Sequence, residues 1–134
     1  MDNETAQIKL ALYWLDKARR SVDAAENELE AGNLDFCANR IYYAAFYSVS
    51  AALISKGLTY KKHSAVRVAF HRDFIKKGII PRKFGLLYDT IMQDREDADY
   101  VAFALLDKEI LEQEIEDVKV LINLMKDFVL ISSE

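Results

Sequence analysis

The residues from 39 to 54 place apolar side chains on nearly every side of a predicted helix. This stretch contains neither glycine nor proline. At 3.6 residues per turn it presents two adjacent apolar faces, so two neighbouring helices can pack against it at once. The faces consist of Ile41, Ala45, Val49 and Ala52, and of Tyr42, Phe46, Val49 and Leu53. A helix that is apolar all round belongs in the middle of a bundle, and we predict that this is the central helix.

One polar stripe remains on the central helix. It consists of Asn39, Tyr43, Tyr47 and Ser50, at spacings of four, four and three, and Arg40 lies beside it. The tyrosines are either amphipathic core residues whose hydroxyls reach a rim, or polar groups that line a cleft. Both interpretations remain open at this point.

Helix-ending residues divide the rest of the chain. From about residue 4 to residue 31 the apolar positions recur at three, four or seven, which predicts an amphipathic first helix. Gly32 follows it and Gly57 follows the central helix, and glycine takes the left-handed conformation that closes a helix. Ser64 is a natural N-cap for a short third helix, and Pro81 is well placed to open a fourth.

The last helix is predicted to start at Asp107 and carries a heptad-like apolar seam. Such a seam can pack along the first helix or against a second subunit. Its members are Leu111, Ile115, Val118, Ile122, Met125 and Val129. The patterns together predict an all-α fold, a mainly antiparallel up-and-down bundle of four main helices plus a short basic helix.

Composition agrees with one compact helical domain spanning residues 1–134. Hydrophobic residues make up 51% and charged residues 30%, with four glycines and one proline. The single cysteine, Cys37, cannot form an internal disulfide, and its place on the apolar central helix indicates a buried structural thiol rather than a nucleophile. The chain start has no basic segment followed by an apolar run, and no stretch reaches the length of a membrane span, so we expect a cytoplasmic protein.

Charge is unevenly distributed along the chain. The formal net charge of −4 argues against a general polyanion binder, but residues 61–83 carry a local charge of +7 that leaves −11 for the rest. This segment sets one acid, Asp73, against Lys61, Lys62, Arg67, Arg72, Lys76, Lys77, Arg82 and Lys83. The asymmetry indicates a surface that binds phosphate or an acidic partner. The alternative is the solvated face of a short amphipathic helix.

Few residues are candidates for chemistry. The spacing of histidine and cysteine fits no metal site, and the isolated glycines form neither a Walker loop nor a dinucleotide turn. Of the two histidines, we interpret His71 as a surface residue and His63 as one that pins its loop by a hydrogen bond. Arg95 continues a core-facing stripe of the fourth helix, so it either pairs with Asp99 or faces a cleft.

Four motifs, in this order and spacing, resemble the HEPN family of small helical proteins over roughly residues 5–130. They are Asn39-Arg40-x-Tyr42-Tyr43-x-x-Phe46, Lys62-His63-Ser64-Ala65-Val66, Phe70-x-x-x-Phe74-Ile75-x-x-Gly78, and Arg95-Glu96-Asp97-Ala98-Asp99-Tyr100. In nuclease members of the family an arginine is followed, after four to six residues, by a histidine, and the pair works at a dimer interface as a metal-independent ribonuclease. Here Tyr100 occupies the histidine position, and tyrosines titrate near pH 10, so a tyrosine can donate a hydrogen bond but is a poor base.

The resemblance implies a homodimer without cofactor or metal, and a minimal nucleotidyltransferase as the antitoxin-type partner, which can modify a tyrosine such as Tyr100. We therefore expect a toxin-like module that binds RNA or nucleotide phosphate, with Arg95, Tyr100 and His63 as candidate catalytic residues. The candidate contacts to RNA or nucleotide are Arg95, Asp99, Asn39, Arg40, Tyr43, Lys76, Lys77, Arg82 and Lys83. Ribonuclease activity stays open. The second hypothesis is a non-catalytic interaction module whose basic helix docks an acidic protein.

Overall fold

The structure is a computed structural model that describes residues 2–132, so residues 1, 133 and 134 of the predicted domain lie outside the described part. Within that range the chain forms five α-helices. They are α1 (Asp2–Glu30), α2 (Leu34–Ser55), α3 (His63–Phe70), α4 (Arg82–Tyr100) and α5 (Lys108–Ser132), and α3 continues into a π-helical turn, His71–Ile75. The predicted all-α bundle of four main helices and one short basic helix is confirmed.

The predicted helix ends are mostly confirmed. Gly32 and Gly57 follow α1 and α2 with φ of 82° and 79°, the left-handed conformation that glycine adopts without strain. Pro81 stands directly before α4. The prediction for Ser64 is wrong by two residues, because α3 begins at His63 with Lys62 at the N-cap position. His63 is therefore held by the first turn of a helix and does not belong to the preceding loop.

The central position predicted for α2 is confirmed, since α2 packs against α1, α4 and α5. The heptad-like seam of α5 is buried within the chain, where α5 packs along α2 and α1. The prediction that this seam packs along the first helix is therefore confirmed, and the seam packs on the central helix as well. The seam consequently provides no exposed surface for a second subunit.

Small residues bring α1 and α2 together over their whole length. Ala11, Ala18 and Ala25 recur every seven residues on α1 and are fully buried. A row of alanines lets two helix backbones approach closely, and α1 with α2 forms the most extensive helix pair of the fold. The polar stripe of α2 is partly exposed beside this pair.

The π-helical turn is fixed by a close contact with α4. A Cβ atom at Gly85, inside α4, would stand only 2.9 Å from Cε1 of His71. The same imidazole lies with Nε2 2.9 Å from Oδ1 of Asp89. His71 therefore packs between α4 and the end of α3, and its interpretation as a plain surface residue is wrong.

A pair of carboxyls, the buried Glu114 and the half-buried Asp94, joins α4 to α5. Glu114 is 6% exposed, and its Oε1 atom has no hydrogen-bond partner among residues 2–132. The carboxyl of Asp94 lies near that of Glu114, and two neighbouring carboxyls resist ionising together. Burial and the neighbouring Asp94 raise the pKa of Glu114 to about 8. Near neutral pH the pair therefore holds a proton.

The cysteine lies in the interior beside this pair. Cys37 is fully buried, and burial, with the charge of Glu114 as a second cause, raises the pKa of its thiol to about 11. A protonated, inaccessible thiol is unreactive. The prediction of a buried structural cysteine is confirmed.

The connection between α4 and α5 exposes large apolar side chains. In this apolar loop, residues 101–107, Phe103 is 99% exposed and Leu105 is 100% exposed. Isolated exposed apolar residues are ordinary, but a cluster of them is typical of an interaction surface.

Within residues 2–132, none of the helices has both the length and the apolar character needed to cross a membrane.

Candidate functional site

The fourth helix directs Arg95 into the fold, as its stripe predicts. Phe84, Tyr88 and Ile91 of this stripe are buried, and the side chain of Arg95 is only 11% exposed. Its Cζ atom stands 4.8 Å from the ring centroid of Tyr42, a cation–π distance. Burying a guanidinium is costly unless its donors find partners.

The donors of Arg95 are incompletely satisfied. The Nε atom has no hydrogen-bond partner in the described part of the chain. Nη1 lies 3.6 Å from a carboxylate oxygen of Asp99, an ion pair too long for a hydrogen bond. Of the two alternatives considered for Arg95, the pairing with Asp99 is confirmed as a loose ion pair, and the buried Nε atom keeps one donor that has no partner within residues 2–132.

The polar stripe of α2 holds Asp99 in place. Nδ2 of Asn39 donates to both carboxylate oxygens of Asp99, at 3.1 and 3.3 Å. Nε of Arg40 donates to Oδ1 of Asn39 at 3.0 Å, and the Arg40 guanidinium lies 5.3 Å from the ring centroid of Tyr43. The interaction of Arg40 with Asn39 orients the amide so that its NH₂ group faces Asp99. Asp99 is thus held by Asn39 and paired with Arg95, and Arg40 bonds Asn39.

His63 packs against α2 beside Arg95. Its ring is 4.3 Å from that of Phe46, and Nδ1 is 2.9 Å from the hydroxyl oxygen of Tyr42. Burial, and then the nearby charge of Arg95, lower the pKa of His63 below its ordinary 6.5. The imidazole is therefore neutral at pH 7. The predicted hydrogen bond of His63 is confirmed, with Tyr42 as its partner.

Tyr42 connects the histidine to the arginine. Its ring is under the Arg95 guanidinium and its hydroxyl bonds His63. Burial raises the pKa of Tyr42 to about 12, so its hydroxyl remains protonated. A hydroxyl can accept from Nδ1–H, and that tautomer of the imidazole leaves Nε2 free to accept a proton. We refer to Asn39, Tyr42, His63, Arg95 and Asp99 as the Arg95–His63 cleft.

Comparison with known proteins identifies the family of this chain. Residues 11–128 match the HEPN domain family. The chain belongs to the HEPN family. A Thermotoga maritima relative named "UPF0332 protein" is 40% identical over 111 residues, which cover 83% of this chain and 79% of the relative. A Methanocaldococcus jannaschii relative named "Putative toxin MJ0142" is 32% identical over 116 residues, 87% of this chain and 79% of the relative. The family predicted from the four motifs is confirmed.

Tyr100 lies apart from the cleft of this HEPN domain. It comes five residues after Arg95, which on a helix turns its side chain about 140° away from the arginine. Asp99, four residues after Arg95, stays on the same face. Tyr100 is 79% exposed at the end of α4. Within one chain, the position that corresponds to the family histidine does not line the cleft.

The basic segment of the HEPN domain separates into two parts. Arg67 and Arg72 pair with Asp89 and Asp73, at 2.6 and 2.9 Å. Four exposed cations gather instead at the start of α4 and just before it, and we call them the distal basic surface: Lys76, Lys77, Arg82 and Lys83. At 1.5 Å per residue along α4, Arg82 and Lys83 lie about 20 Å from Arg95. The structure therefore does not bring these two predicted contacts to the cleft, and Lys76 and Lys77 lie at the end of the π-helical turn.

Within residues 2–132 of the HEPN domain, no group of three or more histidine, cysteine, aspartate and glutamate side chains is arranged to hold a metal ion. The cleft itself offers one imidazole and one carboxylate, His63 and Asp99, and the carboxylate is already engaged by Asn39.

Sequence reasoning missed Tyr42 as a site residue. The apolar pattern of α2 assigned it to the core, and it is indeed fully buried. The available signal was the pair Tyr42-Tyr43 one residue after Asn39-Arg40, since only the first tyrosine falls on an apolar face. A buried tyrosine needs a partner for its hydroxyl, and that partner is His63.

Proposed function

We propose that this protein is a HEPN toxin-like module that binds an RNA or nucleotide phosphate in the Arg95–His63 cleft and cleaves RNA there without a metal ion. The observation that carries the proposal is the buried Arg95 guanidinium, which has an unpartnered Nε and lies on the same tyrosine that bonds a neutral histidine. The relative named as a toxin supports the toxin-like role.

Arg95 is suited to hold the phosphate. A guanidinium presents a planar fork of donors that matches two phosphate oxygens, and such charge-assisted hydrogen bonds are stronger in a partly buried site. Arg40 adds a second positive charge nearby on α2, and the carboxylate of Asp99 opposes the charge of Arg95.

His63 is suited to transfer the proton. Its lowered pKa keeps the imidazole unprotonated at neutral pH, so Nε2 can accept the proton of an RNA 2′-hydroxyl. The 2′-oxygen then attacks the phosphorus held by Arg95, and the imidazolium returns the proton to the leaving 5′-oxygen. This assignment gives His63 the role that Tyr100 cannot perform from the other face of α4.

Two partners complete the proposal. A second copy of the chain would cover the apolar loop, where Phe103 and Leu105 are fully exposed, and would form the homodimer. A minimal nucleotidyltransferase would act as the antitoxin-type partner. Tyr100 is exposed enough to be its modification site, and a bulky nucleotide at the end of α4 would obstruct the approach of RNA.

A protein-docking module remains the second candidate. The distal basic surface favours it, because its cations are separate from the cleft and face solvent. An acidic protein could bind these cations without contacting Arg95. The two candidates therefore differ in whether the cleft is needed for binding.

The test is binding and cleavage of a labelled RNA in EDTA. We expect Arg95→Ala to weaken binding about 10- to 100-fold, the range for losing hydrogen bonds to a charged group. We expect His63→Ala to retain binding and to lower the cleavage rate about 10²- to 10⁴-fold. The kcat/KM for cleavage by the natural chain should persist as pH falls until the pKa of His63 in the free protein, which lies below 6.5, is reached.

Matched controls make the assay specific. Arg20→Ala removes an exposed arginine that pairs with Asp16 of the same helix. It should change neither the RNA affinity nor the cleavage rate. Tyr100→Phe should leave the fold and cleavage intact, whereas Tyr100→His should raise cleavage if a partner copy completes the site. Cleavage that survives Arg95→Ala would show that the site is elsewhere. If no variant binds RNA and an acidic protein is bound through the distal basic surface, the second candidate is correct.

A further inference from the structure

A row of partly exposed aromatic rings leads away from the Arg95–His63 cleft. Its first ring, Tyr43, lies 5.9 Å from the Cζ atom of Arg95. The ring centroid of Tyr47 lies 5.7 Å from that of Tyr43. Trp14 of α1 stacks on Tyr47, with ring centroids 5.4 Å apart and an interplanar angle of 30°. We call Tyr43, Tyr47 and Trp14 the aromatic row. Two of its members belong to the polar stripe of α2, whose tyrosines the cleft alone does not explain.

Cations accompany the aromatic row along its length. Nζ of Lys17 lies 5.0 Å from the ring centroid of Trp14 and 4.9 Å from that of Tyr47. At the other end, Arg40 lies over Tyr43 at 5.3 Å. Positive groups next to partly exposed rings provide both the charge and the flat apolar surface that single-stranded nucleic acids bind.

The far end of the row borders an apolar groove of about 330 Å³. Trp14 and Tyr47 form one part of its lining, and Leu58 and Tyr60 of the loop before α3 form another. This volume is at the lower end of the range for small-ligand sites. A flat, mostly apolar group such as a nucleobase can enter such a groove and contact the rings.

We propose that a single-stranded RNA segment lies along the aromatic row, with the bases next to the bound phosphate stacked on Tyr43, Tyr47 and Trp14. The inference rests on the proposed function for the position of the phosphate at Arg95. It adds the surface that contacts the bases, which would bind an unpaired strand with little sequence preference because every base has a face that can stack. The bases of a duplex already stack on one another and are not free to contact the rings.

Trp14 is the only tryptophan in the chain, so its fluorescence reports on this surface. The experiment titrates the full-length protein with three probes: a single-stranded oligoribonucleotide, the same strand in a duplex, and a length-matched abasic ribose-phosphate oligomer. We expect the single strand to quench Trp14 emission and to bind about 10-fold or more tightly than the abasic oligomer. The duplex should bind more weakly and leave the emission unchanged.

Substitutions at Tyr47 separate stacking from packing. Tyr47→Leu keeps an apolar group in the groove lining but removes the ring, and we expect it to reduce single-strand affinity about 10-fold while abasic affinity stays constant. Tyr47→Phe keeps the ring and should restore the preference for base-bearing RNA. Thermal unfolding of each variant shows whether the fold is intact, and the ratio of the two affinities is insensitive to partial loss of folded protein.

The outcomes distinguish this inference from the proposed function. Salt-sensitive binding that needs Arg95, with equal affinity for abasic and base-bearing strands, would overturn the stacking surface and leave the phosphate site in place. Quenching that depends on Tyr47 but is unaffected by Arg95→Ala would support the aromatic row and contradict the assigned phosphate site. Absence of binding by all three probes would overturn both.

Discussion

Replacing Glu114 by glutamine should remove a large part of the pH dependence of stability. In the folded protein burial and Asp94 raise the pKa of Glu114 to about 8, whereas an exposed glutamate in the unfolded chain titrates near its ordinary value of 4.5. Between these two values the folded chain binds one proton more than the unfolded chain. The free energy of unfolding must therefore fall as pH rises through this window, and it levels off above about pH 8.

The magnitude follows from the width of the window. Each pKa unit corresponds to about 1.4 kcal/mol. Ionisation of Glu114 should therefore lower the free energy of unfolding of the natural protein by about 3 kcal/mol from pH 6 to pH 9. Glu114→Gln cannot ionise, and its stability should decline much less over the same range. The buried amide changes stability at every pH. The informative quantity is therefore the change in the free energy of unfolding between pH 6 and pH 9.

Urea unfolding at pH 6 and pH 9, with circular dichroism at 222 nm, measures this difference. Glu112→Gln is the matched control, because Glu112 is an exposed glutamate on the same helix, and it should follow the natural protein. If the natural protein and Glu114→Gln lose the same stability between the two pH values, then Glu114 is already ionised at pH 6 and the reasoning is wrong.

Two further predictions concern the surface. Replacing the four cations of the distal basic surface by alanine should flatten the salt dependence of RNA affinity, measured by fluorescence anisotropy, if an extended RNA reaches them, since each phosphate contact contributes to that slope. An unchanged slope would assign this surface to a protein partner. Light scattering of the natural chain at micromolar concentration should give a dimer mass, and Phe103→Ser with Leu105→Ser should shift it toward the monomer. A monomeric natural chain would remove the second copy from the proposal.

Much of the fold could be predicted because its signals are local. Gly32, Gly57 and Pro81 act through their own backbone conformations, and the apolar pattern of α2 determines its central position without knowledge of its neighbours. The partner of the α5 seam could not be chosen from sequence, because its heptad spacing suits a helix of the same chain and a helix of another equally well. The π-helical turn was not predictable either, since its contact with Gly85 is tertiary.

The cleft was only partly predictable for a similar reason. The stripe of α4 showed that Arg95 faces inward, and the spacing of four brought Asp99 to its side. The approach of His63 depends on how α3 packs on α2, which no spacing within the chain encodes. The candidate roles of His63, Tyr100 and the RNA contacts stay predictions for the assays described above.

The coupling between Arg95 and His63 makes anion binding and proton binding reciprocal. The positive charge of Arg95 lowers the pKa of His63, so an anion that neutralises Arg95 must raise it again. By thermodynamic linkage, a proton on His63 strengthens anion binding by the same factor. In the proposed reaction, an anionic product would be held most tightly at low pH, while His63 is protonated. Deprotonation of His63 would then favour both release of that product and activation of the next 2′-hydroxyl.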